Sequence, residues 1–466
     1  MFTWFKTIFA TIFGQPGVQR YLKDHTLFDV KGMVDIVSNL IPLQPLINAA
    51  APKWGSFPIA VLLEPMGVPF LFDPWYMQSK KIINSRSLVI MGDLIAGKTT
   101  AAIAICIQLA ARMNSYGKRA RVLMVARKRT GQDETSKAEY QQFVEDALGG
   151  SVVDMQANNF NYHEPRLQLS HQALLQILVL TVTEQNNGTS PTQTQEASLN
   201  LALEIQATKD PSERSHDGLT KILQETSLGQ ACDYLNIAYN PEQPSRLAQE
   251  IVDAAGYMAM TLTNFKKKYG VFCGEDSLVD ALDSPAVLID FTLQAFELQS
   301  FSHLLLLTIQ SLSTAPMLEF DIIVSDESYE DWESLPKTNI IRRDLKKNRE
   351  KTTFRIFVMH ALRDLESVGA EGAENRAKAI AAIKDVAMFM IGVMKLESDR
   401  LALQELLRFS DYVRDQFEVQ TQGQFHFILR DAAYAPVPIQ FVLGAIEKAI
   451  SKTEGATDAM TRRDAA

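Results

Sequence analysis

Ser87-Leu88-Val89-Ile90-Met91-Gly92-Asp93-Leu94-Ile95-Ala96-Gly97-Lys98-Thr99-Thr100 is the stretch on which the reading of this chain turns. Its second half fits G-x-x-x-x-G-K-T, and an apolar run of strand character leads into it. From Thr100 to Ala111 the residues are apolar or small apart from Gln108, and no helix breaker occurs before Gly117. The pattern therefore predicts a strand, a tight loop and a helix, in that order. Successive N–H groups of such a loop, with the positive end of the helix dipole, favour a phosphate. Gly92, Asp93, Leu94, Ile95, Ala96, Gly97, Lys98, Thr99 and Thr100 are read as the nucleotide-binding segment. Lys98 is expected to reach the outer phosphates and the Thr99 hydroxyl to ligate Mg²⁺.

The chain has 466 residues, 46% hydrophobic and 22% charged, enough for a large core and for more than one domain. A net charge of −9 argues against a broadly basic nucleic-acid coat. Cys106, Cys232 and Cys273 lie far apart and show neither metal spacing nor a disulfide framework, which suits a reducing cytoplasm. Residues 1–13 are aromatic and apolar but too short to span a bilayer. They read as an arm that packs on protein or as an interfacial helix on a membrane surface.

Apolar runs of strand length recur at 122–125, 286–290, 321–325, 354–359 and 387–393, and an alternating segment follows at 423–429. Strands separated by helical stretches predict an α/β fold, a mostly parallel sheet with helices on both faces. Between Leu167 and Leu282 strand signals vanish and helical spacing replaces them, at 219–228, 244–257 and 259–268. The polar stretch 184–195 inside this region reads as a flexible loop. The whole is read as an all-helical insertion, and the tail from Lys452 as disordered.

Hydrolysis needs a carboxylate on the metal side and a base that orients water. Phe320-Asp321-Ile322-Ile323-Val324-Ser325-Asp326-Glu327 supplies both at the end of an apolar run. Asp326 is the candidate metal-side carboxylate and Glu327 the candidate base. His360 ends the run 354–359 and is the candidate sensor of the terminal phosphate. The basic cluster 342–351 is either a solvated helix face or the source of an arginine offered to a neighbouring subunit, with Arg349 the candidate. Lys266-Lys267-Lys268 reads as a surface run or a contact for an anionic polymer.

Val68-Pro69-Phe70-Leu71-Phe72-Asp73-Pro74-Trp75 ahead of the loop, Ala147-Leu148-Gly149-Gly150, Asp326-Glu327 and His360-Ala361-Leu362-Arg363-Asp364-Leu365 occur in an order that resembles the conjugation-type ATPases. These are the ATP-binding proteins of actinobacterial type IV secretion and conjugation systems, in the FtsK/HerA-like superfamily of P-loop NTPases. The resemblance implies a RecA-like core, ATP with Mg²⁺, a catalytic glutamate, and a hexameric ring that moves DNA or protein beside secretion-complex partners. It also implies a cytoplasmic protein, free or peripheral at the inner face of the membrane. Two departures stand out. Ile95 replaces a usual glycine, and Ala126-Arg127-Lys128-Arg129-Thr130 lacks the family's acid after the second strand, unless Lys137-Ala138-Glu139-Tyr140 is that motif displaced.

The implied division is a lead-in over 1–60, core over 61–160, helical insertion over 161–284, core again over 285–450, and a tail over 451–466. The alternatives are a nucleotide-binding structural subunit with little turnover, or a pump for double-stranded DNA.

Overall fold

The computed structural model describes residues 58–63, 69–126, 140–155, 159–274, 279–291, 296–328, 335–347, 352–365, 373–430 and 436–441. The N-terminal arm, the tail, Arg349, the segment after Ala126 and the displaced motif up to Glu139 lie outside them. Two compact units emerge: a core unit, Met1–Val152 with Ser284–Thr292 and Phe320–Ala466, and a second unit, Val153–Asp283 with Leu293–Glu319. Residues Leu293–Glu319, read from the sequence as core, thus group with the helices.

The core unit is built on an 11-stranded sheet. In chain order the strands are β1 (Pro58–Leu62), β2 (Pro69–Leu71), β3 (Ser87–Met91), β4 (Val122–Ala126), β5 (Ser151–Asp154), β6 (Ala286–Asp290), β7 (Ile322–Ser325), β8 (Phe354–Met359), β9 (Met388–Ile391), β10 (Gln424–Leu429) and β11 (Val437–Gln440). Their order across the sheet is β2-β1-β11-β10-β9-β3-β8-β7-β4-β6-β5. From β9 to β6 neighbours run parallel. From β9 to β2 they run antiparallel. The expected α/β architecture is therefore present, with an antiparallel flank added.

Every residue of β3, β4, β6, β7, β8 and β9 is buried, so both faces of the parallel block are covered. Full burial of a Leu, Ile, Val or Met side chain contributes about 1.5–3 kcal/mol, which makes this block the main store of hydrophobic stabilisation. The helix Lys98–Ser115 packs Ala101, Ala102, Ile105 and Leu109 into the same cluster as Leu88 and Ile90 of β3. β10 departs from its sequence pattern. Alternation predicted one wet face, yet Phe425 through Leu429 are all buried, because β10 extends a sheet already covered on both sides.

The aromatic approach to the loop is structural. Asp73 caps the helix Pro74–Ser79 by accepting from the N–H groups of Trp75 and Tyr76, each at 3.0 Å. Phe72 is fully buried against the rings of Phe354 and Phe427, 5.9 and 5.7 Å away. Trp75 Nε1 donates to the Thr352 carbonyl at 2.6 Å. Phe72-Asp73-Pro74-Trp75 thus locks the lead-in segment onto β8 and β10. Gly150 is equally constrained: a Cβ there would stand 2.2 Å from the Ala286 carbonyl oxygen.

The second unit carries no strand among its described residues after Asp154. Its long helix Arg246–Lys268 runs unbroken through the two segments expected separately, and His216–Glu225 ends where Ser227 caps Leu228–Tyr234. The polar stretch 184–195 is a loop only over 186–192, because helices enter it from both ends. His171–Gln185 ends inside it, and Thr192 and Gln195 form a capping box that starts Gln193–Ala207. Here local capping chemistry overrides composition. Lys266 is engaged within the unit by Asp217, at 2.6 Å.

The unit's interior includes neutral histidines. Tyr162 Oη donates at 2.6 Å to His216 Nδ1, and His216 Nε2 donates at 2.9 Å to the Leu262 carbonyl. Burial lowers His216 and drives His163 down to about 3. Both are depressed below the unfolded value of about 6.5, so the stability they contribute is fully present above that pH and is lost as pH falls toward 3. Denaturant unfolding measured between pH 7.5 and 4.5 should show His163→Phe losing less stability on acidification than the parent. The difference should approach about 1.4 kcal/mol per pH unit below 6.

Candidate functional site

The sheet order positions the site. β8 lies between β3, which carries the phosphate loop, and β7, which ends in the acidic pair. His360, at the tip of β8, therefore stands between them. Lys98 donates to the carbonyls of Gly92 at 2.8 Å and Asp93 at 3.0 Å, and meets His360 Nδ1 at 3.0 Å. His360 Nε2 lies 3.2 Å from Glu327 Oε1. An ammonium can only donate and a carboxylate can only accept. Nδ1 is consequently the acceptor and Nε2–H the donor. Lys98, Asp326 and Glu327 are all buried.

The loop backbone explains its glycines. Gly92 has φ +154°, and a Cβ on it would fall 2.8 Å from the Ala96 Cβ. Gly97, at φ +83°, is the N-cap of Lys98–Ser115 and brings no side chain to the helix end. The first N–H groups of a helix have no partner within it, so Lys98, Thr99 and Thr100 present donors at this end. Thr99 and Thr100 are half-buried, and Leu94 is exposed. Ile95 lies in the 3₁₀ turn Leu94–Ala96.

Among the described residues, no group of three or more His, Cys, Asp or Glu side chains is disposed to hold a metal. The candidate donors are the hydroxyl of Thr99 and the carboxylate of Asp326. Such a sparse oxygen set fits Mg²⁺, which keeps waters and substrate phosphates among its ligands. Asp326 Oδ1 accepts from the Glu327 N–H at 3.0 Å. Glu327 itself sits at φ +48°, a left-handed conformation that costs a residue with a Cβ about 1–2 kcal/mol. That strain falls on the candidate base, at the point where β7 must turn its carboxylate toward His360.

Sequence reasoning did not find the frame around the loop. After β9, Gly392 donates to the Met91 carbonyl at 2.8 Å, Asp93 N–H to the Val393 carbonyl at 2.9 Å, and Lys395 N–H to Asp93 Oδ2 at 2.9 Å. Arg400 holds this segment by donating to the Met394 and Lys395 carbonyls at 3.0 and 2.8 Å, and pairs with Glu418 at 2.8 Å. Ahead of β10, the Gly423 N–H donates to the Ala96 carbonyl at 3.1 Å. A glycine directly after a buried strand and the Thr421-Gln422-Gly423 turn were the available signals. In the basic cluster, Arg342 pairs with Asp385 at 2.9 Å.

The strand order and the loop it carries belong to a fold that known structures share. VirB4 of Thermoanaerobacter pseudethanolicus matches with a TM-score of 0.59 at 17% identity, covering 85% of this chain and 99% of that one. The bacterial conjugative coupling protein TrwBdeltaN70, in its unbound monoclinic form, matches at 0.50 and 12% identity, covering 86% and 91%. The chain shares the fold of these two proteins. No protein-family model matches the chain and no curated protein matches its sequence. The actinobacterial affinity stays a reading of the residues. Among the described residues, no helix is long and apolar enough to cross a membrane.

The strain at Glu327 is directly measurable. Glu327→Gly and Glu327→Ala remove the same carboxylate, but only the glycine relieves the left-handed backbone. In denaturant unfolding the glycine variant should be the more stable by about 1 kcal/mol.

Proposed function

We propose that this chain is an ATP-hydrolysing motor of the conjugation or secretion type, working as a ring of identical subunits that couples turnover to transfer of DNA or protein. The observation that carries the reading is the chain of contacts from Lys98 through His360 to Glu327, set over a glycine-shaped phosphate loop. The names of the matched structures, a VirB4 and a conjugative coupling protein, support the assignment to conjugation.

The loop N–H groups of residues 92–100 would bind the phosphates. Lys98 would turn from the carbonyls of Gly92 and Asp93 to the outer phosphate oxygens. Thr99 and Asp326 would hold Mg²⁺, which when bound neutralises charge on the phosphates. Glu327 would orient a water and take its proton on a carboxylate oxygen. His360, bonded to both Lys98 and Glu327, would report the filled loop to the base. Arg349, offered by a neighbouring subunit, is proposed to stabilise the developing charge. The proposed location is the cytoplasm, with peripheral contact at the inner membrane face through the N-terminal arm.

A nucleotide-binding structural subunit is the second reading, favoured by Lys98 being held by carbonyls of its own loop. The two separate on turnover. Glu327→Gln should bind ATP as the parent does and release phosphate at least a hundred-fold more slowly, in line with losing a general base. Parent turnover should also rise with protein concentration as the ring assembles. No phosphate release at any concentration would favour the structural subunit. Lys98→Ala should weaken ATP binding itself, and normal binding by that variant would contradict the phosphate-loop assignment.

A further inference from the structure

We propose that the Thr421–Gln424 turn is the nucleoside side of the phosphate-loop site, with the Gln422 carboxamide meeting the base and ribose. The inference rests on the nucleotide-binding reading above and adds to it the direction in which the ligand lies.

That direction follows from the sheet. Across the strand tips the order is β10-β9-β3-β8-β7. Lys98, His360 and Glu327 gather the reacting chemistry on the β8 and β7 side of the loop. A triphosphate with its terminal group there extends its other end over the β9 and β10 side. Neighbouring strands lie about 4.8 Å apart, so the tip of β10 is about 10 Å from the loop strand, within reach of a nucleoside.

β10 runs antiparallel to β9, so its first residue shares the end at which β9 finishes. The turn before it is closed by Gln424 N–H donating to the Thr421 carbonyl at 3.0 Å, with Gly423 at φ +79°. Gly423 N–H bonds the turn to the Ala96 carbonyl. A Cβ built on Gly97 would lie 3.6 Å from Gln422 Cγ, so this side chain stands against the last glycine of the loop. Gln422 is exposed. A carboxamide offers two donors and an acceptor. Phosphate oxygens need only donors, whereas bases and ribose hydroxyls present mixed edges. The chemistry of Gln422 therefore suits the nucleoside better than the phosphates.

The test is calorimetric binding of Mg·ATP and of Mg·tripolyphosphate to the full chain. Gln422→Ala and the near-isosteric Gln422→Met should each weaken Mg·ATP about 3- to 10-fold, the effect of one or two lost hydrogen bonds. Both should leave tripolyphosphate affinity unchanged, while Lys98→Ala weakens both ligands. Equal losses for the two ligands, or an unchanged ATP affinity in both Gln422 variants, would overturn the assignment and leave the phosphate loop standing. Failure of the parent protein to bind either ligand would overturn the nucleotide reading and this inference with it.

Discussion

One ammonium ties the centre of the core unit together. Lys98 bonds to two carbonyls of its own loop and to the imidazole at the tip of the next strand, and that imidazole bonds to the carboxylate one strand further on. The relay works because each side chain bridges one interval of the sheet, about 4.8 Å. If β7 adjoined β3 directly, His360 would have no place in the series. The strand order is thus the constraint from which the candidate chemistry descends. That order is held by burial on both faces of the parallel strands rather than by the site itself.

Around this relay the backbone leaves little freedom. Gly92 and Gly392 both lie under Ala96, where an added Cβ would come within 2.8 and 3.0 Å of its methyl group. Asp93 is fixed from β9 through the Val393 carbonyl and the Lys395 N–H, and Arg400 fixes that segment in turn. The loop is therefore shaped before any ligand arrives, which lowers the ordering cost of binding. Glu327 pays into the same frame with a left-handed backbone, a strain that packing elsewhere sustains.

Much of this was legible in the residues. The strand, loop and helix of 87–115 follow from local pattern, since a glycine-bounded loop ahead of an unbroken helical run admits few alternatives. The acidic end of β7 and the histidine ending β8 were visible as polar residues terminating apolar runs. Phe72-Asp73-Pro74-Trp75 was legible as a signature, but its physical work, a helix cap and an aromatic block on β8, needed the packed neighbours. β1, β2, β5 and β11 escaped notice because they lie outside the buried parallel block, at an edge or in the antiparallel flank, where pairing rather than a local apolar run defines the strand. The polar stretch 184–195 misled because composition says little where a capping box decides.

By itself the sequence determined the strand, loop and helix of the candidate phosphate site, because that motif is contiguous and the chemistry expected of it resides in backbone N–H groups and one following lysine. It also determined the α/β class and the helical character of the segments 219–228, 244–257 and 259–268, through hydrophobic periods that each segment carries alone. Only the tertiary structure decided that His360 stands between Lys98 and Glu327, and which of its nitrogens carries the proton. It alone brought Gly423 and Lys395 to the loop. Those relations join residues from tens to hundreds of positions apart, and their register is set by strand order and burial, which no local pattern encodes.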